Sequence, residues 1–291
     1  MNFRTDLALE RQEILGKEEL TGVFSETEEK DKVRITRIEI KTAEAAEKLS
    51  KPIGNYVTVE VPPFFDDAEI FDERFSVLTK VIKTMLPEKG TVLVVGLGNI
   101  SVTPDALGPK SASYILATRH ISDELKKAIG FENIRSVASL SPGVLGQTGI
   151  ETGEIIKGVV DRIKPSAVIT VDALASRNLS RLGCTVQLAD TGISPGSGVG
   201  NTRKRLDEDT LGVKVISLGV PTVVDGATLA NDLIDKNKST HYSVLPESGQ
   251  MMVTPKEIDL LIERASRLVG MSINCALQPH MTHEEILSLV S

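Results

Sequence analysis

Carboxylates and glycines recur in this sequence directly behind short apolar runs. Val92-Leu93-Val94-Val95 leads into Gly96-Leu97-Gly98-Asn99 and then Val102-Thr103-Pro104-Asp105-Ala106-Leu107-Gly108-Pro109. Ala167–Val171 leads into Asp172, Thr185–Leu188 into Asp190-Thr191-Gly192, and Val213–Leu218 into Gly219 and, after a further apolar stretch, Asp225. Asp172 ends an apolar run, where a charge is costly to bury. Asp105 sits in a proline-braced loop between Gly98 and Gly108. Two carboxylates within a few ångström cannot both ionise at neutral pH and share one proton. One can then deprotonate water while the other donates to a carbonyl oxygen, which hydrolyses an amide without a metal or a covalent intermediate. A second reading stays open on these residues: Asp172 caps a following helix, and Asp105 caps the segment from Ala106 onward.

The other chemical candidates are thinner. Gly96-Leu97-Gly98 lacks the third glycine of a dinucleotide-binding turn. The glycine-rich stretch over 192–200 lacks the Lys-Ser/Thr of a phosphate-binding loop. His280 and His283 form an H-x-x-H with no Glu in a ligand framework, and His283 falls in the first turn of a terminal helix. His120 and His241 stand alone. Cys184 and Cys275 are far apart, so neither a disulfide scaffold nor a thiolate metal site is indicated, and Cys184 has no histidine signature beside it. No G-x-S-x-G elbow occurs. These residues call for no metal and no cofactor.

The candidate residues need a frame to hold them. The nearly continuous apolar runs 92–95, 167–171 and 213–218 read as strands buried on both faces, with further strands at 135–140 and 185–188. Helical spacing links them over 107–129, 151–163 and 227–234. The expected fold is therefore α/β: a twisted, mostly parallel sheet flanked by helices, with ligands beyond the carboxyl ends of its strands. Alternation over 33–40 and 56–61 marks half-wet strands of a smaller β region, about 33–62, with a short helix over 43–49 between them. Residues 73–86 have helical periodicity, and the polar first thirty residues read as an appendage. Thr254-Pro255-Lys256-Glu257 and Thr282-His283-Glu284-Glu285 both read as capping boxes that open helices.

Composition removes whole classes of function. The chain has 291 residues and a net charge of −7, 41% hydrophobic residues and 25% charged ones. That balance supports a buried core and excludes global disorder. Clustered cationic surface for nucleic acid is not indicated. With no Trp and 3% aromatics, base- or sugar-stacking platforms are not expected either. No apolar run reaches the ~18 residues of a membrane span, and no signal-peptide core opens the chain, which points to a soluble cytoplasmic protein.

The motifs around Asp105, Val171-Asp172-Ala173-Leu174-Ala175-Ser176-Arg177, Asp190-Thr191-Gly192-Ile193-Ser194-Pro195-Gly196-Ser197-Gly198-Val199-Gly200-Asn201 and Gly219-Val220-Pro221-Thr222-Val223-Val224-Asp225 together resemble the germination proteases of spore-forming bacteria. The similarity runs over nearly the whole chain, from Arg4-Thr5-Asp6-Leu7-Ala8 onward. The resemblance implies a phosphorylase/hydrolase-like fold akin to hydrogenase-maturation endopeptidases. It implies an aspartic-type, metal-independent endopeptidase that degrades small acid-soluble spore proteins, the DNA-coating proteins of the spore core, during germination. The family's proposed catalytic pair falls on Asp105 and Asp172. Asn99, Asp190 and Asp225 lie on matching motifs and are read here as positioning substrate or tuning the pair. The resemblance further implies a homotetrameric zymogen that clips itself after an acidic residue and before a hydrophobic residue followed by Ala. Asp6-Leu7-Ala8 fits that rule, making 1–6 a propeptide and 7–291 a single protease domain. Two other readings are a metal-dependent maturation-type peptidase and a non-enzymatic module binding through the 196–200 loop.

Overall fold

Nearly continuous runs of Val, Ile and Leu are best satisfied between two apolar layers, and they form the centre of a nine-stranded sheet. The computed structural model describes residues 4–16, 20–30, 32–64, 71–128, 130, 133–196, 204–230 and 251–290. Its strands are β1 (Val23–Lys30), β2 (Val33–Ile40), β3 (Gly54–Glu60), β4 (Val92–Gly96), β5 (Val137–Leu140), β6 (Ala167–Ser176), β7 (Thr185–Ala189), β8 (Val215–Asp225) and β9 (Met252–Val253). They are ordered β1-β2-β3-β7-β8-β6-β4-β5, with β9 on β8. The strands β8, β6, β4 and β5 run parallel, as the alternation of strand and helix implies, and β7, β3, β2 and β1 extend them as an antiparallel wing.

Helices cover both faces of the parallel part. On one face, α3 (Glu73–Met85), α4 (Leu107–Ser113), α9 (Ile258–Leu277) and α10 (His283–Val290) enclose a core that includes Leu78, Ile82, Leu107, Ile262 and Val269 against Val94, Ile169 and Leu218. On the other face, α7 (Thr152–Ile163) and α8 (Glu208–Leu211) set Ile156, Val160 and Leu211 against Leu93, Val95, Val168 and Val215. Each fully buried Leu or Ile contributes roughly 1.5–3 kcal/mol. Side chains alternate along a strand, so Asp172 shares the face of Val168, four residues before it, and opens toward the α7 side. Short helices α1 (Ala8–Leu15), α2 (Ala43–Leu49), α5 (Asp123–Ala128) and α6 (Leu145–Thr148) complete the frame.

Several elements differ from the expectation for physical reasons. The first thirty residues are more than an appendage. Leu7, Ala8 and Glu10 are buried, and β1 pairs with β2 along its whole length. The Ser25–Lys30 side chains are exposed, so β1 carries no hydrophobic alternation to announce it, and its charge suits an edge strand. Strand β6 runs on to Ser176, which places Asp172 inside a strand and not at the start of a helix. The segment 107–129 is two helices, α4 and α5, joined by a loop. Helix α9 begins at Ile258, and the Thr254 hydroxyl donates to the Thr222 carbonyl instead of capping it. The second box does form: the Thr282 amide donates to Glu285 at 2.7 Å and the Glu285 amide to Thr282 Oγ1 at 3.2 Å. Residues 226–230 open the expected 227–234 helix, whose remainder lies outside the described residues, as do His241 and 197–201 of the glycine stretch. Among the described residues, no helix is long and apolar enough to cross a membrane.

Candidate active site

Asp105 is placed by the turn that leaves β4. Gly98 takes φ of 118°, a conformation that side chains rarely adopt, and a Cβ there would lie 2.1 Å from the Asp105 carbonyl oxygen. Asp105 ends a short 3₁₀ turn, Thr103–Asp105. Its Oδ2 accepts the Asn99 amide at 2.7 Å, and Thr222 Oγ1 donates to the Pro104 carbonyl at 2.8 Å. Gly108 then lets α4 press on the strands, since a Cβ there would meet the Leu97 and Val171 carbonyls at 2.2 and 2.4 Å. The glycines around β4 thus serve close backbone approach and the placement of a carboxylate.

Asp172 lies in β6 opposite Gly219 of β8, 6% exposed, with Oδ1 accepting the Ala173 amide at 2.9 Å. Asp105 and Asp172 line one cavity of about 500 Å³ with Asp6, Lys51, Gln187 and Arg205. The two aspartates singled out in the sequence are therefore brought to one cleft. The helix-capping alternative fails for Asp172, which no helix follows.

The N-terminal segment enters the same cavity. Strand β4 stops pairing with β6 at Gly96 and Val171, and further along β6 the main chain of Ala175 is engaged by Asp6. The Asp6 amide donates to the Ala175 carbonyl at 2.8 Å, and the Ala175 amide donates to Asp6 Oδ2 at 2.9 Å. The carbonyl oxygen of Asp6 accepts Lys51 Nζ at 2.7 Å and Gln187 Nε2 at 2.9 Å. Gln187 Oε1 accepts the Ala8 amide at 2.6 Å, and Leu7 between them is fully buried. Glu10 anchors the following helix, accepting the amides of Arg177 and Asn178 at 2.6 and 2.9 Å and Arg181 Nη1 at 3.2 Å.

The remaining sequence candidates fall around this centre. Asn99 touches Asp105 through its main-chain amide and uses its side-chain oxygen on Ser101 and Gln147. Asp190 does not line the cavity; both its oxygens accept from Asn55, fixing the start of β3. Asp225 also stands outside the cavity lining, holding Arg4 at 3.2 Å and the Thr228 amide and hydroxyl. Lys51 and Gln187 were not legible in the sequence, since neither belongs to a chemical motif. Burial pushes the Lys51 ammonium below its ordinary pKa, against the opposing field of Asp6. Burial pushes the Tyr56 hydroxyl up to about 12, so it faces the cavity protonated. His283 stacks on Phe71, with ring centroids 4.2 Å apart. Among the described residues, no group of three or more His, Cys, Asp or Glu side chains is arranged to hold a metal.

Comparison with known proteins gives consistent matches. A family profile described as germination protease matches residues 4–242. The germination protease of Caldanaerobacter subterraneus subsp. tengcongensis is 44% identical, the match covering 100% of this chain and 98% of that one. That of Clostridium perfringens is 45% identical over 98% of each. That of Priestia megaterium is 35% identical over 97% of this chain and 95% of its own. Among solved structures, a NiFe hydrogenase maturation protease from Thermococcus kodakarensis KOD1 matches with a TM-score of 0.39 and 20% identity, covering 68% of this chain and 98% of that one.

Proposed function

This chain belongs to the germination protease family, and from that membership we propose an endopeptidase in which Asp105 and Asp172 activate the attacking water. The substrates are small acid-soluble spore proteins of the spore core, cut after an acidic residue and before a hydrophobic residue followed by Ala. The enzyme is made as a homotetrameric zymogen that removes its own residues 1–6. The observation that carries this reading is that Asp105 and Asp172 line one cavity into which Asp6 also reaches. The ionised carboxylate takes a proton from water as the water oxygen adds to the carbonyl carbon, and the protonated partner donates to the substrate as the C–N bond breaks. Asp172 is buried beside Gly219, and this reading gives the two carboxylates one proton to share.

The test replaces each aspartate by Asn, which keeps size and removes the ionisable proton. Asp105→Asn and Asp172→Asn are each expected to slow cleavage of a basic, Glu-containing spore protein by roughly 10²–10⁴-fold. Both should melt close to the unsubstituted protein, and neither should generate a new N-terminus at Leu7 by mass spectrometry. Near-normal cleavage by both variants would end the aspartate mechanism.

A further inference from the structure

We infer that Lys51 and Gln187 are the carbonyl-polarising groups of this enzyme, and that residues 4–8 are seated as its own first substrate with Asp6–Leu7 as the bond presented. The inference rests on the peptidase reading above and assigns a further part of the same site. Two N–H donors converge on one main-chain oxygen, that of Asp6, at 2.7 Å from Lys51 Nζ and 2.9 Å from Gln187 Nε2. A helix-end or turn carbonyl would find main-chain donors; this one is held by two side chains from distant parts of the chain, in the cavity that holds both aspartates. Paired donors on one carbonyl are the arrangement that stabilises negative charge as an amide goes tetrahedral.

The flanking contacts fix the segment in register. The acidic side chain before the bond is read by the Ala175 amide, and the Asp6 amide returns a hydrogen bond to the Ala175 carbonyl. The residue after the bond, Leu7, is wholly buried. The next amide, that of Ala8, is held by the other end of the same Gln187 side chain. Gln187 therefore spans the Asp6–Leu7 bond, donating on one side and accepting on the other. An acidic residue and then an apolar one is what these contacts accept, and the 1% exposure of Ala8 leaves little room for a larger side chain after them.

In the hydrolysis, the water oxygen bonds to the Asp6 carbonyl carbon and one aspartate carboxylate takes the water's proton. The carbonyl oxygen gains the charge, which Lys51 and Gln187 hold. As the C–N bond breaks, the proton on the second aspartate passes to the departing Leu7 nitrogen, leaving a carboxylic acid on Asp6 and an amine on Leu7.

The experiment uses the full chain. It follows both the appearance of a Leu7 N-terminus by mass spectrometry and kcat and KM on a peptide copying residues 4–10. Lys51→Met and Gln187→Glu are each expected to lower self-processing and kcat on the peptide by roughly 10²-fold, the loss typical of one such donor. KM should rise by a smaller factor than kcat falls, because these donors already hold the ground-state carbonyl and strengthen as it takes up charge. Lys51→Arg should restore part of the rate, and melting curves establish that each variant is folded. If the variants block self-processing yet keep kcat on the peptide, Lys51 and Gln187 only dock the leader and the inference falls. It also falls if the unsubstituted chain cuts itself at another bond. Asp105→Asn and Asp172→Asn run alongside. Slow lysine and glutamine variants with active aspartate variants would leave this inference standing and remove the aspartate mechanism; the reverse pattern would remove this inference alone.

Discussion

Asp172 and Gln187 flank Gly219 from opposite sides: the register of the sheet pairs Gly219 with Asp172 across one ladder and with Gln187 across the other. Residues in one row of a sheet face the same way, so the carboxylate and the amide project together from strands about 9.5 Å apart. The strand between them contributes no side chain. Leu174 fills that space, lying where a Gly219 Cβ would be, with its Cγ 2.5 Å away.

Gly219→Ala is therefore expected to displace Leu174 toward the cavity it lines. Overpacking of this kind costs roughly 1–3 kcal/mol. Urea denaturation should register that loss, and kcat on the peptide should fall with it. Unchanged midpoint and unchanged kcat would mean that Leu174 has room to move aside, and that the row is not tightly built.

The parallel half of the fold was legible because double burial writes itself as nearly continuous apolar runs. The bounds 33–40 for β2 and 43–49 for α2 could be read because alternation and a capping Thr42 mark them locally. Strand β1 was not legible, since Ser25-Glu26-Thr27-Glu28-Glu29-Lys30 is held by its partner strand and carries no apolar face. Asp172 stood out because it ends an apolar run, and Asp105 because it sits in a proline-braced loop between Gly98 and Gly108. Lys51 lies just past α2 and Gln187 in the middle of β7, and only the long-range register brings both to Asp6. Asp190 and Asp225 looked alike in sequence. Neither lines the cavity, because each is taken up by a neighbour, Asn55 or Arg4.

Gly98→Ala tests how Asp105 is placed. Two penalties combine there: a φ of 118° and a Cβ 2.1 Å from the Asp105 carbonyl oxygen. The conformation alone costs roughly 1–3 kcal/mol. The clash with backbone adds to it and can be relieved only by moving Asp105. Gly130→Ala is the control, with a φ of 76° and nothing within 4 Å. Both variants should lose stability in thermal melts, but only Gly98→Ala should lose cleavage activity. Equal activity in the two would disconnect the turn from the carboxylate.

Arg181→Met tests the anchor behind the N-terminal segment. Arg181 meets buried Glu10 at 3.2 Å and Glu13 at 2.6 Å, and Glu10 is 1% exposed. Removing the cation leaves a carboxylate buried with main-chain donors and the Thr5 hydroxyl as its remaining named partners. Breaking a buried pair from one side costs about 3–5 kcal/mol. The urea midpoint should fall accordingly, and self-processing should slow as α1 loosens its hold on Leu7. Glu10→Gln in the Arg181→Met background should recover part of the stability, because it removes the stranded charge. No recovery would indicate that Arg181 acts through packing alone.

Thiol chemistry supplies a prediction of a different sign. Burial raises the pKa of Cys184 from its ordinary value and pushes Cys275 up from 9.0 to about 11. The thiolate is the reactive form, so at pH 8 a two-unit rise cuts its population about 100-fold. Iodoacetamide should therefore label Cys275 far more slowly than free cysteine, with intact mass read against time. Raising the pH toward 11 should accelerate labelling steadily, because the folded protein releases the proton only there. Neither cysteine lines the cavity of Asp105 and Asp172, so peptide cleavage should persist in the alkylated protein. Activity lost in step with labelling of Cys184 would place a thiol in the reaction and displace the carboxylates from its centre.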